Sequence, residues 1–180
     1  MSDQTQSPRI FGPLMQVSYV VRDLDAAIRH WTAVMGVGPF FVLDHVGFDE
    51  IFYQGQPAAI DMAVAIAYSG GLQIELVQQH NAAPSIFRDF LARHGEGQQH
   101  VGVATDDLAR DLEKLSARGV KPVQWGRASN GTLFAYVETD LYPGTMVEMV
   151  QLSPKLEKAF AAMRQAAETW DGVTAVAHRS

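Results

Sequence analysis

The chain has 180 residues and a net charge of −6, which suits one globular domain or two small modules that share a core. The acidic balance argues against a large basic face for nucleic acid. Because there is no cysteine, disulfides, thiolate metal sites and a cysteine nucleophile are excluded together.

The first thirteen residues predict a flexible arm. Residues 1–13 are polar and contain Pro8 and Pro13, which discourage regular structure, and they lack the apolar core of a signal peptide. The longest apolar runs, such as MAVAIAY, are too short to span a bilayer. We therefore expect a cytoplasmic protein whose partners include neither a membrane nor a nucleic acid.

Strand and helix signals alternate along the first half of the chain. The run MQVSYVV is rich in β-branched and aromatic residues, which indicates a strand. The next segment, RDLDAAIRHWTAVMG, has apolar residues at helical spacing and Gly36 at its end, so it predicts a helix. Three more strands are predicted in PFFVLDHV, AIDMAVAIAY and LQIELVQ. The order of elements in this half is therefore β-α-β-β-β.

The second half repeats this order. A strand is predicted in HVGVAT, a helix in DDLARDLEKLSARG, and three strands in KPVQWGR, LFAYVETD and TMVEMVQ. When the halves are aligned, Asp23 meets Asp107 at the helix start and ELVQ meets EMVQ at the end. We infer two duplicated modules, residues 14–79 and 98–152, joined by a connector, residues 80–97, that holds a short helix.

Polar side chains occupy matching positions in the two modules. Gln16 and His100 open the first strands, and Glu75 and Glu148 interrupt the apolar last strands. Strand alternation puts both glutamates on the face opposite to the one that packs on the helices. If the modules pair about a pseudo-twofold axis, all four side chains converge on one point. Two half-buried carboxylates would repel each other there, and a divalent cation would relieve this repulsion.

The four side chains form a ligand set that contains nitrogen and oxygen but no sulfur. One imidazole, two carboxylates and one amide oxygen suit one divalent metal ion, which we expect to be Zn²⁺, Ni²⁺, Co²⁺, Mn²⁺ or Fe²⁺. Taken singly, each residue has an ordinary structural explanation, such as a strand-end amide or a solvent-facing glutamate. Together, at matched positions of a repeat, they favour a metal site.

With these motifs, the chain resembles the vicinal oxygen chelate superfamily, which includes glyoxalase I, methylmalonyl-CoA epimerase, bleomycin-resistance proteins and extradiol dioxygenases. The resemblance covers about residues 14–152. It implies an α+β fold in which two paired β-α-β-β-β modules form a cup-shaped mixed sheet, with Gln16, Glu75, His100 and Glu148 as metal ligands. This set is similar to the glyoxalase I pattern in particular, and the missing first histidine argues against the iron dioxygenases.

The resemblance also implies a function. We expect a metal-dependent lyase or isomerase that acts on a carbonyl or thioester substrate through a metal-stabilised enolate or enediolate. By similarity to glyoxalase I, Glu148 is the expected catalytic base, and Glu75 is its counterpart in the other module. Epimerases of the family use a further glutamate just before the third strand of the first module. That position falls near Ala58–Ile60, where Asp61 is the nearest carboxylate.

The substrate is predicted less directly than the metal site. The apolar segment after Phe40 suggests an apolar small-molecule substrate, for which the candidate contacts are Asp61, Trp125, Arg127 and Asn130. A C-terminal segment, residues 153–180, predicts an amphipathic helix and tail that pack on the body or on a second subunit of a homodimer. The alternatives are a non-catalytic, ligand-sequestering protein of the bleomycin-resistance type and, less favoured, a metal-dependent dioxygenase.

Overall fold

The computed structural model describes residues 11–138 and 146–180. The predicted arm lies mostly outside the described residues. The strands are β1 (Leu14–Val20), β2 (Phe40–Leu43), β3 (Phe48–Tyr53), β4 (Gln56–Pro57), β5 (Met62–Ser69), β6 (Leu72–Gln79), β7 (Gly97–Ala104), β8 (Pro122–Ala128), β9 (Leu133–Glu138), β10 (Met146–Gln151) and β11 (Val176–Arg179). The helices are α1 (Leu24–Ala33), α2 (Ile86–His94), α3 (Leu108–Ser116) and α4 (Pro154–Glu168).

The described strands form one mixed sheet in the order β11-β2-β5-β6-β1-β7-β10-β9-β8-β3-β4. At its centre β1 runs parallel to β6 and β7 runs parallel to β10, while β1 and β7 pair antiparallel and join the two halves. The first and last strands of the two predicted modules are therefore four neighbours in one curled sheet. The α+β class, the paired β-α-β-β-β units and the C-terminal helix are confirmed.

Helices α1 and α3, which occupy matching places in the two modules, begin in the same way. Asp23 caps α1 and Asp107 caps α3, and each carboxylate accepts a hydrogen bond from the backbone N–H three residues later. Both helices pack their apolar face on the convex side of the sheet, where Leu76 of β6 and Met149 of β10 are buried. The alternate residues of those strands, including Glu75 and Glu148, therefore face the concave side, as strand parity predicts.

A buried carboxylate fixes the start of α3. Asp111 accepts hydrogen bonds from the Thr105 hydroxyl at 2.6 Å and from the Lys114 ammonium at 2.7 Å. Burial alone would raise the pKa of Asp111, but the hydrogen bonds from Lys114 and Thr105 outweigh it and hold that pKa below its usual value.

The sequence did not predict the hairpin formed by β3 and β4, which lies at the opposite end of the strand order from β2. Strand β2 lies near one end of the strand order, whereas β3 and β4 form the other end, where β3 pairs with β8. Residues 44–47 alone connect β2 to β3, and so short a segment reaches at most about 17 Å. The sheet must therefore curl until its ends approach each other. Residues 44–47, which we call the crossing, form part of the rim of the cup. No local pattern reveals such a hairpin, because its partner strand β8 lies far away in the chain.

The C-terminal segment covers the open side of the cup. Helix α4 starts at the Ser153 N-cap and packs over β5, so it lies on its own chain. After α4 the tail adds β11 as a parallel strand beside β2. Strand β11 was not predicted, since its four residues show no alternation of apolar and polar side chains. Among the described residues, no helix has the length and apolar character needed to cross a membrane.

Candidate metal and substrate site

A cavity of about 770 Å³ lies between the concave face of the sheet and α4. Most of its wall is apolar, formed by side chains such as Phe41, Ile51, Val64, Phe134, Phe160 and Met163. One group of polar side chains in the wall comes from β1, β6, β9 and β10, and these are Gln16, Gln73, Glu75, Tyr136 and Glu148. The cavity thus combines a large apolar space with one concentrated polar patch, as small-molecule sites commonly do.

Three of the predicted metal ligands, Gln16, Glu75 and Glu148, line this patch, and the buried His100 lies beside the two glutamates. Nε2 of His100 lies 3.3 Å from Oε2 of Glu75 and 3.5 Å from Oε2 of Glu148. Gln16 and Glu148 both stand beside Gly102, which is their neighbour on β7. The amide of Gln16 lies so close to Gly102 that a Cβ added there would be 2.6 Å from Oε1. Glycine at this position therefore lets the amide approach.

The imidazole of His100 is oriented by its sequence neighbour. Its Nδ1 lies 2.7 Å from Oε1 of Gln99, and because an amide oxygen can only accept, Nδ1 carries the hydrogen. The second nitrogen, Nε2, then points toward Glu75 and Glu148. It is fully buried and has no hydrogen-bond partner among the described residues, since both carboxylates are beyond the usual N–H···O distance.

The carboxylates change the acid–base chemistry of their buried neighbours. Burial opposes protonation of His100, but interactions with Glu148 and Glu75 outweigh burial and raise the pKa of His100 to about 9. Burial, reinforced by the same two carboxylates, raises the pKa of Tyr136 well above its usual value, so its phenol stays neutral. The patch therefore has a surplus of negative charge that attracts a proton or a cation.

These residues fit a divalent metal ion. A metal-binding histidine ordinarily donates its other ring N–H to a nearby acceptor, which is the arrangement that Gln99 gives His100. The unpartnered Nε2, two carboxylates and one amide oxygen are ligands that suit Zn²⁺, Ni²⁺, Co²⁺, Mn²⁺ or Fe²⁺. Glu75 is also held in place, since the Ser18 hydroxyl donates to its Oε2 at 2.6 Å.

The candidate substrate contacts lie in different environments. Asn130 lines the cavity. The other three are not among the described residues that line the cavity. Trp125 stacks on Phe52 with ring centroids 5.5 Å apart. Arg127 forms an ion pair with Glu50, and Asp61 forms one with His45. Trp125 and Arg127 alternate along β8 with Gln124 and Ala128, which line the cavity, so they lie on the opposite face of that strand.

Several residues of the site were not recognised in the sequence. Ser18 follows Gln16 by two positions and therefore shares its face of β1, and it pairs in register with both Glu75 and His100. Gly102 follows His100 by two positions in the same way. Because residues two apart in a strand share a face, this spacing could have identified both Ser18 and Gly102 from the sequence. In contrast, Tyr136 and Gln99 become site residues only through strand register and a side-chain hydrogen bond.

Comparisons with known proteins agree with this architecture. A sequence model described as the Glyoxalase/Bleomycin resistance protein/Dioxygenase superfamily matches residues 15–136. No curated protein matches the chain significantly. Methylmalonyl-CoA epimerase from Mycobacterium tuberculosis is similar in structure, with a TM-score of 0.59, 22% identity, and coverage of 86% of this chain and 97% of the epimerase.

Two further solved structures share the fold. A hypothetical protein from Bacillus halodurans C-125 has a TM-score of 0.58 and 15% identity, and the match covers 78% of this chain and 94% of that protein. A Streptomyces coelicolor methylmalonyl-CoA epimerase variant in complex with 2-nitronate-propionyl-CoA has a TM-score of 0.53 and 20% identity, with coverage of 79% and 99%. At such identities the structural matches establish the fold, while the sequence match establishes the family. The chain is a member of the glyoxalase, bleomycin resistance protein and dioxygenase superfamily.

Proposed function

We propose that the chain is a metal-dependent isomerase or lyase that moves a proton on the carbon beside a carbonyl or thioester group. One observation carries the proposal. Behind the carboxylates of Glu75 and Glu148, which line a large apolar cavity, the buried and unpartnered Nε2 of His100 faces them at 3.3 and 3.5 Å. An ordinary structural histidine would have a partner on both nitrogens.

Four side chains would hold the ion, namely Gln16, Glu75, His100 and Glu148. A divalent cation bound there supplies Lewis-acid stabilisation for negative charge that develops on a substrate oxygen. The protein contributes the rest of the site. Gln99 fixes the orientation of the His100 ring, and Gly102 provides the space that the Gln16 amide occupies.

The two glutamates differ in a way that separates their roles. Ser18 donates a hydrogen bond to Glu75 at 2.6 Å, which stabilises its carboxylate in one position. The Glu148 carboxylate interacts with the phenol of Tyr136, whose raised pKa keeps it neutral and able to donate a hydrogen bond. Because the Ser18 hydroxyl already holds Glu75 in one position, we take Glu148 as the base that removes a proton from the substrate carbon.

The cavity and the similar proteins support one class of substrate. Two of the similar structures are epimerases named with methylmalonyl-CoA or an analogue of a CoA thioester bound to them. In this chain, Lys155 is the one lysine or arginine among the described residues that line the cavity. We therefore infer a carbonyl or thioester substrate whose reacting end is apolar and enters beneath α4.

Isotope exchange tests the proposed function. The metal-loaded protein is incubated in D₂O with methylmalonyl-CoA and, separately, with a thiol hemithioacetal of an α-ketoaldehyde, and NMR follows loss of the proton beside the carbonyl. We expect metal-dependent exchange with one of them, reduced at least about 100-fold in Glu148→Gln. The exposed Glu113→Gln on α3 is the matched control and should keep its activity. Exchange that is absent with both compounds, or that survives Glu148→Gln, would contradict the proposal.

A ligand-sequestering protein is the second candidate, and the size and apolar character of the cavity favour it. Such a protein would bind an apolar ligand equally well after Glu148→Gln and after removal of the metal by a chelator. Calorimetry with a non-reactive apolar thioester distinguishes the two candidates, since an enzyme that uses the ion should bind the thioester carbonyl less tightly once the metal is removed.

A further inference from the structure

We propose a second divalent transition-metal site, formed by His45, Asp61 and His80 at the rim of the cavity. One ring nitrogen of each histidine and one carboxylate oxygen of Asp61 lie within 4.8 Å of one another. No residue of this cluster belongs to the four-residue centre described above. The proposal therefore stands or falls independently of the proposed reaction.

The sheet brings the three residues together from separate parts of the chain. His45 follows β2, Asp61 precedes β5 and His80 follows β6, and these three strands are neighbours in the order β2-β5-β6. The backbone N–H of His80 donates to the carbonyl of Asp61 at 2.8 Å. Because β5 runs antiparallel to both β2 and β6, the three positions lie at the same end of these three strands. Two of the ligands are thus fixed relative to each other by the backbone.

The hydrogen bonds already present suit a cation. Nε2 of His80 lies 3.0 Å from the backbone carbonyl of Asp44, and since a carbonyl only accepts, Nε2 carries the hydrogen and leaves a lone pair on Nδ1 of the neutral ring. This arrangement, a ring N–H donated to a carbonyl while the other nitrogen stays free, is typical of metal-binding histidines. The Nδ1–H of His45 donates to Oδ1 of Asp61 at 2.7 Å, and an ion bound between the two atoms would replace that hydrogen.

Distances and ligand types indicate which ion would bind. Ligands on one tetrahedral zinc ion lie roughly 3.4 Å apart, given metal–ligand distances of about 2.1 Å. The exposed side chains need only small rotations to move from within 4.8 Å to that spacing. Two imidazoles and one carboxylate suit Zn²⁺, Co²⁺, Ni²⁺ or Cu²⁺ rather than Mg²⁺ or Ca²⁺, and water would complete the coordination.

An ion at this position would act on the entrance to the cavity. His45 lies in the crossing between β2 and β3, and residues 45–47 of that crossing line the cavity. A metal shared by His45, Asp61 and His80 would fasten the crossing to the ends of β5 and β6. The bound ion would then hold the rim in one position, so that the entry of a ligand into the cavity would depend on whether the metal is available.

The test measures zinc binding in a protein that lacks the inner site. Tag-free His100→Ala protein is titrated with Zn²⁺ by calorimetry, because removing His100 disables the four-residue centre and leaves the rim intact. We expect one Zn²⁺ per chain. Adding His80→Ala or Asp61→Asn should weaken binding at least about tenfold. Adding His30→Ala, an exposed histidine on α1, is the matched control and should change nothing.

Two results would overturn the proposal. One is a His100→Ala protein that binds no Zn²⁺ at concentrations where the wild-type chain does. The other is Zn²⁺ binding that persists unchanged after His80→Ala, which would place the ion elsewhere on the surface. Loss of isotope exchange in an otherwise zinc-binding His100→Ala protein concerns the inner centre alone, so failure of the rim site and failure of the proposed reaction are distinguishable.

Discussion

Replacing Gly102 by alanine tests whether the Gln16 amide belongs to a metal centre. The added Cβ would lie 2.6 Å from Oε1 and 2.9 Å from Cβ of Gln16, whereas ordinary contacts begin at 3.4 Å. The amide oxygen must therefore move by about 0.8 Å, while metal–ligand distances tolerate only about 0.2 Å. We expect metal affinity to fall about 10- to 100-fold, the range found when the support of a ligand is lost.

Overpacking should also lower the free energy of unfolding, by about 1–3 kcal/mol. Because small domains are typically stable by about 5–15 kcal/mol, the variant should stay folded, which circular dichroism and the melting temperature verify. Metal affinity is then measured by competition with a chromophoric chelator. Gly71→Ala is the control, since nothing lies within 4 Å of its added Cβ.

A double-variant cycle isolates the contribution of the amide. In a Gln16→Ala background the ligand is already absent, so Gly102→Ala should cause little further loss of metal affinity, although it still crowds the remaining Cβ. Wild-type affinity in folded Gly102→Ala protein would refute the assignment of Gln16 as a ligand. Equal losses of affinity in the wild-type and Gln16→Ala backgrounds would show that the glycine acts through the backbone instead.

Three further outcomes are expected. Ser18→Ala removes the hydrogen bond that holds the Glu75 carboxylate, so metal affinity measured by chelator competition should fall about tenfold. Asp111→Asn should lower the free energy of unfolding by roughly 1 kcal/mol at neutral pH. Since the pKa of folded Asp111 is lowered, its contribution is present above about pH 4 and lost as the pH falls through the folded pKa, so the difference should disappear in acid. Phe160→Ala shortens a half-buried side chain of the cavity wall and should weaken binding of an apolar probe about fivefold by fluorescence.

Each of these variants has a matched control on the surface. Ser116→Ala at the end of α3 should leave metal affinity unchanged, and Asp106→Asn, an exposed neighbour of the α3 cap, should leave stability nearly unchanged. Ala161→Ser on the exposed side of α4 should leave probe binding unchanged. An Asp111→Asn effect that persists at low pH, or a Ser18→Ala protein with wild-type metal affinity, would contradict the roles given to these residues.

Local patterns were sufficient to predict that these side chains lie on one side of the central strands. Gln16 and His100 open strands, and Glu75 and Glu148 interrupt apolar runs at matched places of a repeat, so alternation and duplication were enough to predict that they meet. The pairing of β1 with β7 then places His100 at 3.3 and 3.5 Å from Glu75 and Glu148, and Gln16 beside Gly102. These placements could be predicted because they depend on the alternation of adjacent residues and on the duplication of two similar modules.

Long-range pairing explains what the sequence did not reveal. The β3–β4 hairpin and β11 are short edge segments whose stability comes from β8 and β2, which lie far away in the chain. Trp125 was assigned to the substrate, although it lies on the face of β8 opposite to Gln124 and stacks there on Phe52 of the unpredicted hairpin. The rim cluster also escaped notice, since His45 and His80 become neighbours only when β2, β5 and β6 pair.

The most direct measurement is the number of metal ions bound at the inner centre. Tag-free His80→Ala protein, in which the rim cluster is disabled, is saturated with Zn²⁺, Co²⁺ or Mn²⁺, dialysed and analysed for bound metal and protein. If Gln16, Glu75, His100 and Glu148 hold one ion, this protein retains one ion per chain and loses it when His100→Ala is added. Retention of the ion in the folded double variant, or no ion in His80→Ala protein at any of the three metals, would contradict the existence of the centre.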